Sequence, residues 1–507
     1  MSWLSTHGVA FAVILPLLMA AVMALLPKGR WLAWTVTLAV VTAVAVAAMT
    51  VLQTQVSLGA FIYEMGGWEP PYGISLRIDA LNAPILLLIA AMAVLAVVYG
   101  EPAVRAEVSE RRGPPFYAAL LLCIAGLMGM VVTGDAFNVF VFLEVSSIST
   151  YTLVAMGANR DRRALSAAFN YLILGSIGAT FYVIGVGFLY AETGTLNMED
   201  MARILANLEG GSRVAQVAFG FIVVGLGLKL AMFPLHTWLP GAYAYSPTVV
   251  TAFLASTATK AALYLLYRFC FTVFDPGFDY VAVVLTYVVT GLAVTGMIFA
   301  SLQAFFQTDA RRTLAFSSVA QVGYMLLGIG LISVAGLAGS YLHLINHAVV
   351  KGGLFFALGA MWYRFGITRI SDMAGISKTM PITTAAFTIL AFSLIGVPFT
   401  AGFVSKVALA EAAAEQGWWW AVAVIMVTSI IALFYMGRMM MVAYFNPPPE
   451  SCLRADGRVE RREAPLLMLV PMVGLAIASI LIGLRGNIIL TDVAENAARV
   501  LIPGAGL

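Results

Sequence analysis

Apolar runs long enough to cross a bilayer recur fourteen times along this 507-residue chain and leave little room for anything else. A spanning helix needs about 20 predominantly apolar residues. Such segments are read at 8–26, 31–52, 79–99, 116–133, 135–157, 164–190, 214–234, 248–272, 279–301, 309–331, 336–363, 381–410, 418–444 and 464–484. Only 10% of the residues are charged and 61% are hydrophobic, against about 25% charged in an ordinary soluble domain. There is too little polar material to clothe a soluble surface. A soluble enzyme, a disordered chain and a fibrous repeat are excluded. The net charge of +3 comes from scattered basic residues, which offers nothing to nucleic acid. The expected fold is an all-α polytopic membrane protein of about fourteen spans, embedded in lipid.

The polar stretches are short, at 53–78, 100–115, 191–213 and 445–463. Residues 56–78 alternate and carry GGWEPPYG, which predicts a small extramembrane hairpin. Residues 196–208 and 371–378 are read as short helices at the interface. The expected organisation is 1–115 for spans one to three with the hairpin, 116–272 for a first five-span unit, 279–444 for a second, and 445–507 for a loop, span fourteen and a tail. Cys123, Cys270 and Cys452 lie far apart without a CxxC pair, so no disulfide framework, zinc site or iron–sulfur run is expected. The N-terminal run reads as a span and not as a cleaved leader, because no Lys or Arg precedes it.

Lys and Arg set the orientation. With the N-terminus outside and the loops alternating, the inner loops hold eighteen basic residues, from Lys28 to Arg462, and the outer loops hold six: Arg77, Arg203, Arg213, Arg268, Arg485 and Arg499. This split predicts both termini outside. Four basic residues fall in no loop, and all four are lysines: Lys229, Lys260, Lys351 and Lys406.

An ionisable side chain at mid-bilayer costs about 2.5–3.5 kcal/mol on insertion scales. Four lysines, the mid-span Glu144 and two histidines are expensive if idle. One Glu–Lys pair could be structural, but one glutamate cannot pair four lysines. Lysines held in an apolar interior without a counter-charge can exchange protons near neutral pH, as a relay requires. His343, His347 and Lys351 follow at i, i+4 and i+8 on one helix face, spread over roughly 12 Å. Histidine takes and gives protons near pH 7. A metal site is disfavoured, since no carboxylate or thiolate joins the two histidines. His236, after Pro234, reads as structural or as a gate.

Pro234 follows Lys229 by five residues, and Pro398 and Gly402 precede Lys406 by eight and four. These predict broken helices in spans seven and twelve, which are tolerated at membrane depth where they line a polar cavity. Paired breaks in two halves point to inverted repeats, spans four to eight and nine to thirteen. There is no Walker motif, no GxGxxG opening a βαβ unit, and no pair of facing histidine helices for haem. No redox centre, cofactor or metal is expected, and the chain is read as a transporter subunit, not an enzyme.

FNVFVFLEVSSISTYTLVAMG, GLGLKLAMFPLHTWLPGAYAYSPTVVTAFLASTATKAALY, HLINHAVVKGGLFFALG and IGVPFTAGFVSKVAL carry a resemblance. The chain resembles the antiporter-like, proton-translocating subunits shared by complex I, membrane-bound hydrogenases and Mrp-type cation/proton antiporters, over nearly its whole length. The resemblance implies fourteen helices with two inverted five-helix repeats. It implies that Glu144 and Lys229 form an input pair, that Lys260 relays to the centre, that Lys351 and the histidines continue the path, and that Lys406 ends it. Lys at 406, where certain complex I members carry Glu, orders the subtypes: an Mrp-like D-type subunit first, a complex I or hydrogenase membrane-arm subunit second. The expected function is a proton-conducting subunit of a multisubunit Na⁺/H⁺ antiporter in a bacterial-type inner membrane, with other membrane subunits as partners. The rivals are a structural scaffold subunit and a stand-alone solute transporter. The latter lacks a midplane cluster of polar side chains.

Overall fold

The computed structural model describes residues 3–25, 29–208, 212–448, 460–484 and 486–502. Lys28, Arg454, Arg458 and Arg485 from the orientation argument, and Cys452, lie outside the described residues. Among the described residues, thirteen helices are long and apolar enough to cross a membrane. The one missing from these is span twelve, which is broken: Pro381–Ile395 and Ala401–Glu415 are separate helices joined by residues 396–400. Span seven, Arg213–Leu230, also stops short, and its continuation is the eight-residue helix Trp238–Tyr245. Both breaks fall where the prolines predicted them. Span five is Ala136–Asn159, span eight Thr248–Val273, span ten Ala310–Gly330, span eleven Val334–Phe365 and span thirteen Trp419–Phe445.

The hairpin is present. Phe61–Glu64 pairs antiparallel with Ser75–Ile78, Phe61 opposite Ile78. The short helices after spans six and eleven are present too, as Met198–Asn207 and as the turns Ile370–Met373 and Ile376–Thr379. One element departs from the expectation. Gly486–Leu501, read as a tail, is an amphipathic helix whose Ala494, Ala497, Ala498 and Leu501 are buried, and it packs on span eleven. It is too short and too polar for a span-length hydropathy window.

The two five-span units repeat a local device. Asp135 caps the start of span five by accepting from the Asn138 amide at 2.6 Å, and Asp309 caps span ten by accepting from the Arg312 amide at 2.9 Å. A side-chain oxygen at this position satisfies an amide that the helix leaves free. Asp135 bridges to Asn197 after span six, and Asp309 bridges to Arg369 after span eleven. The first bridge lies beside the hairpin, next to the Leu76–Thr133 bridge. The second lies at the other end of the helices, where Arg311 donates to Thr248 at 2.8 Å and Glu107 pairs with Arg160 at 2.8 Å. The same motif at opposite faces is what inverted repeats produce. His7 hydrogen-bonds Tyr63 of the hairpin at 3.0 Å, and a cavity lined by both Arg77 and Leu501 joins the C-terminal helix to that face. Both ends of the described chain therefore share the hairpin face.

Candidate functional site

Spans four and five pack backbone to backbone around Gly126, where an added Cβ would lie 2.6 Å from the Ser146 amide nitrogen. This contact fixes the face of span five that carries Glu144 and Ser147. Lys229, in the last turn before the break in span seven, donates to Ser147 Oγ at 2.6 Å, and Ser147 in turn donates to the Leu143 carbonyl at 2.6 Å. Glu144 lies one turn before Ser147, on the same face. Its Oε1 is buried without a hydrogen-bond partner, and among the described residues no ion pair joins it to Lys229. A cavity of about 30 Å³ lies between Lys229, Ser147, Thr150 and Tyr171 on one side and Ala258 and Ala262 of span eight on the other. About 10–15 Å³ suffices for one water. Across the break, Trp238 donates to the Leu228 carbonyl at 2.9 Å and stacks on Tyr171, ring centroids 4.0 Å apart.

Lys260 is 1% exposed and Lys351 is fully buried. Among the described residues, neither meets a carboxylate. Lys260 donates to the Ala255 carbonyl and to Thr259 Oγ1. Lys351 donates to the Leu314 carbonyl at 2.8 Å and to Ser317 Oγ, both on span ten. Span eight, which carries Lys260, packs directly against span eleven, which carries His347 and Lys351. The rings of His343 and His347 lie near-parallel, 11° apart with centroids separated by 6.2 Å. His343 is bonded on both nitrogens, Nδ1 to Ser405 Oγ and Nε2 to Gln321 Oε1, each at 2.9 Å. Among the described residues, His347 is bonded on neither.

Lys406 explains the break in span twelve. A helix ending inside a protein leaves carbonyls without partners, and they form the negative end of its dipole. Lys406 reaches back across the break and donates to the Leu394 and Ile395 carbonyls, at 3.1 and 2.9 Å, and to Ser429 Oγ at 3.0 Å. Its ammonium also lies 4.9 Å from the Tyr324 ring centroid, and Tyr324 stacks on His343 at 5.4 Å. Gly402 donates its amide to Ser393 Oγ at 3.0 Å, which fixes the start of the second half-helix. Pro398 lies within the break. Pro234 lies within that of span seven, where His236 stacks on Phe233 at 5.1 Å and faces Phe316 of span ten at 6.3 Å.

The structure thus gathers the predicted residues into two groups. Glu144 and Lys229 face span eight from one side. Lys260, in span eight at the end of the first unit, is followed by Lys351, His347, His343 and Lys406 in the second. The hydroxyls and the amide between them (Ser147, Ser317, Gln321, Tyr324, Ser405, Ser429) were not legible in the sequence. A serine or tyrosine in an apolar span carries no local mark of what it will touch.

Residues 133–432 match the family model described as NADH:quinone oxidoreductase/Mrp antiporter, TM. The chain belongs to that family. The NADH:quinone oxidoreductase/Mrp antiporter region spans more than half of the protein and holds all seven candidate proton-transfer residues. One relative is the N-type subunit of NADH-quinone oxidoreductase from Desulforudis audaxviator, 42% identical over 506 residues, covering 97% of this chain and 99% of the relative. Another is the D-type subunit of the Na⁺/H⁺ antiporter from Alkalihalophilus pseudofirmus, 34% identical and covering 70% of each chain. Among solved structures, a chain of the Mrp complex from Dietzia sp. DQ12-45-1b superposes with a TM-score of 0.89 at 27% identity, covering 99% of this chain and 98% of that one.

Proposed function

We propose that this chain is the proton-conducting membrane subunit of a multisubunit Na⁺/H⁺ antiporter, working beside other membrane subunits in the plasma membrane, with the hairpin face outside. The observation that carries this reading is the company the lysines keep. Lys229, Lys351 and Lys406 each contact a serine hydroxyl, and among the described residues none of the three contacts a carboxylate. A hydroxyl accepts from an ammonium and donates to a neutral amine. It can therefore hold the lysine in both protonation states, whereas a direct carboxylate partner favours only the charged one. Glu144 biases Lys229 by charge. A proton arriving near Lys229 passes to Lys260 of span eight, the helix whose Ala258 and Ala262 close the small cavity, and from there His347, Lys351, His343 and Lys406 carry it onward. The deciding experiment is Lys260→Arg, which keeps the charge and withholds the proton. Full cation-dependent proton transport in an assembled complex would leave the scaffold reading in possession.

The 42% identity to a subunit named for NADH–quinone oxidoreductase favours a second reading, a proton-pumping subunit of a redox membrane arm. The residues would do the same work, and the driving reaction would sit in other subunits. Affinity purification from native membranes separates the two. Co-purifying small membrane subunits support the antiporter, and iron–sulfur subunits support the redox arm.

A further inference from the structure

On the hairpin face, away from the lysine path, a buried niche collects hydrogen-bond donors that lack acceptors. Arg268, 3% exposed at the end of span eight, gives Nη2 to both oxygens of Asp79, at 3.0 and 2.8 Å, and Nε to Tyr264 Oη at 3.2 Å. Its Nη1 is buried and has no partner among the described residues. Thr272 Oγ1 is also buried without one, and it sits in a π-helical turn, Phe269–Val273. Such turns widen a helix and recur at functional sites. Both side chains line the same cavity of about 20 Å³, together with Ser75 and Tyr264. Ser75 Oγ accepts from Asn197 at 3.3 Å, and Tyr264 Oη accepts from Arg268, so each hydroxyl has its own hydrogen to give.

The charges agree with the donors. Two guanidiniums, Arg77 and Arg268, share one buried carboxylate, Asp79. Among the described residues, the other carboxylate at the niche is Glu199, 3.4 Å from Arg77, and its side chain is 64% exposed. Water screens that charge more than it screens Arg77, whose side chain is 29% exposed, so the Arg77–Asp79–Arg268 cluster keeps a positive excess. Buried charges and buried donors both call for a counterpart. A water satisfies two donors but must itself donate twice. An anion only accepts.

We propose that this niche binds a small monovalent anion of the halide type. Access comes from the neighbouring cavity of about 510 Å³ under the C-terminal helix, which shares Arg77 and Thr272 with it. The bound ion accepts from Arg268 Nη1 and the Thr272 and Ser75 hydroxyls, completes the charge balance of the Arg77–Asp79–Arg268 cluster, and ties the hairpin to the end of span eight. The test is thermal unfolding of the purified full chain in detergent at constant ionic strength, titrating chloride or bromide against gluconate. Saturable halide stabilisation of about 2 °C is expected, the size produced when ligand exceeds its Kd roughly tenfold. Thr272→Val and Ser75→Ala should leave the gluconate midpoint nearly unchanged and remove at least half of the halide increment. Identical midpoints in all salts for the unmodified chain would mean that the niche holds water only. An undiminished increment in both variants would mean that halide acts elsewhere. Either result overturns the proposal.

Discussion

Lys229 gives its hydrogen bond to Ser147, 2.6 Å away, while the Glu144 carboxylate one turn earlier on the same helix as that serine keeps a buried oxygen without a partner. The serine holds the lysine through a bond, and the glutamate stands one turn away from that serine with no bond to the lysine among the described residues. Position and charge bias are assigned to different side chains, and they can be removed separately.

Glu144→Ala should abolish cation-dependent proton movement in membrane vesicles at matched protein level. Glu144→Asp should keep part of it, since the charge survives with shorter reach. Ser147→Ala should lower the rate several-fold without abolishing it, because the charge remains and only the tether is lost. Near-normal transport in Glu144→Ala would remove Glu144 from the path.

Lys260→Arg and Lys351→Arg should assemble normally and lose most transport, because arginine does not release its proton at working pH. Lys229→Arg should retain more, its role being to answer the charge of Glu144. The measurement is transport between pH 6 and 9, with assembly checked on a native gel. Equal, high activity in all three variants would end the relay model.

Gly396 opens the break in span twelve with φ 96°, and an added Cβ would stand 3.1 Å from Lys406 Cδ. Gly396→Ala should cost about 1–2 kcal/mol of stability from the left-handed backbone alone and displace Lys406, reducing turnover. Pro398→Ala should let the helix close across the break, taking the Leu394 and Ile395 carbonyls away from Lys406. Reduced turnover with intact assembly is expected. Normal turnover in both variants would show that the break has no part in transport.

Asp79 is a structural carboxylate on the hairpin face, and it lies outside the spans because span three, read from residue 79 in the sequence, starts at Ala83. Burial by itself would raise its carboxyl, but the guanidinium of Arg268, then that of Arg77, outweighs burial and holds it below the usual value. Its stabilisation is therefore complete at neutral pH and fades as pH falls through the depressed value. Asp79→Asn leaves Arg268 buried without its counter-charge and should cost on the order of 3 kcal/mol at pH 7. Thermal midpoints in detergent should differ widely at pH 7 and converge in strong acid. A constant gap across pH would mean that the ion pair does not carry the effect.

Hydropathy is a local property of the chain, and so the spans, the hairpin and the two broken helices were legible without coordinates. A proline within reach of a lysine announced each break, joined in span twelve by Gly402. The lysines, Glu144 and the paired histidines were legible for a related reason: an ionisable group in an apolar run is conspicuous because the bilayer makes it costly. The C-terminal helix was not legible, because its buried face of alanines gains meaning only against span eleven. Nor were the partners of the lysines. Ser147, Ser317 and Ser429 look like any serine that bonds back to its own helix, and only packing between spans brings them to an ammonium. The sequence by itself determined how many times the chain crosses the membrane and which charges lie within it. The tertiary structure decided which neutral oxygens receive those charges, because that depends on contacts between helices far apart along the chain, of which no local pattern keeps a record.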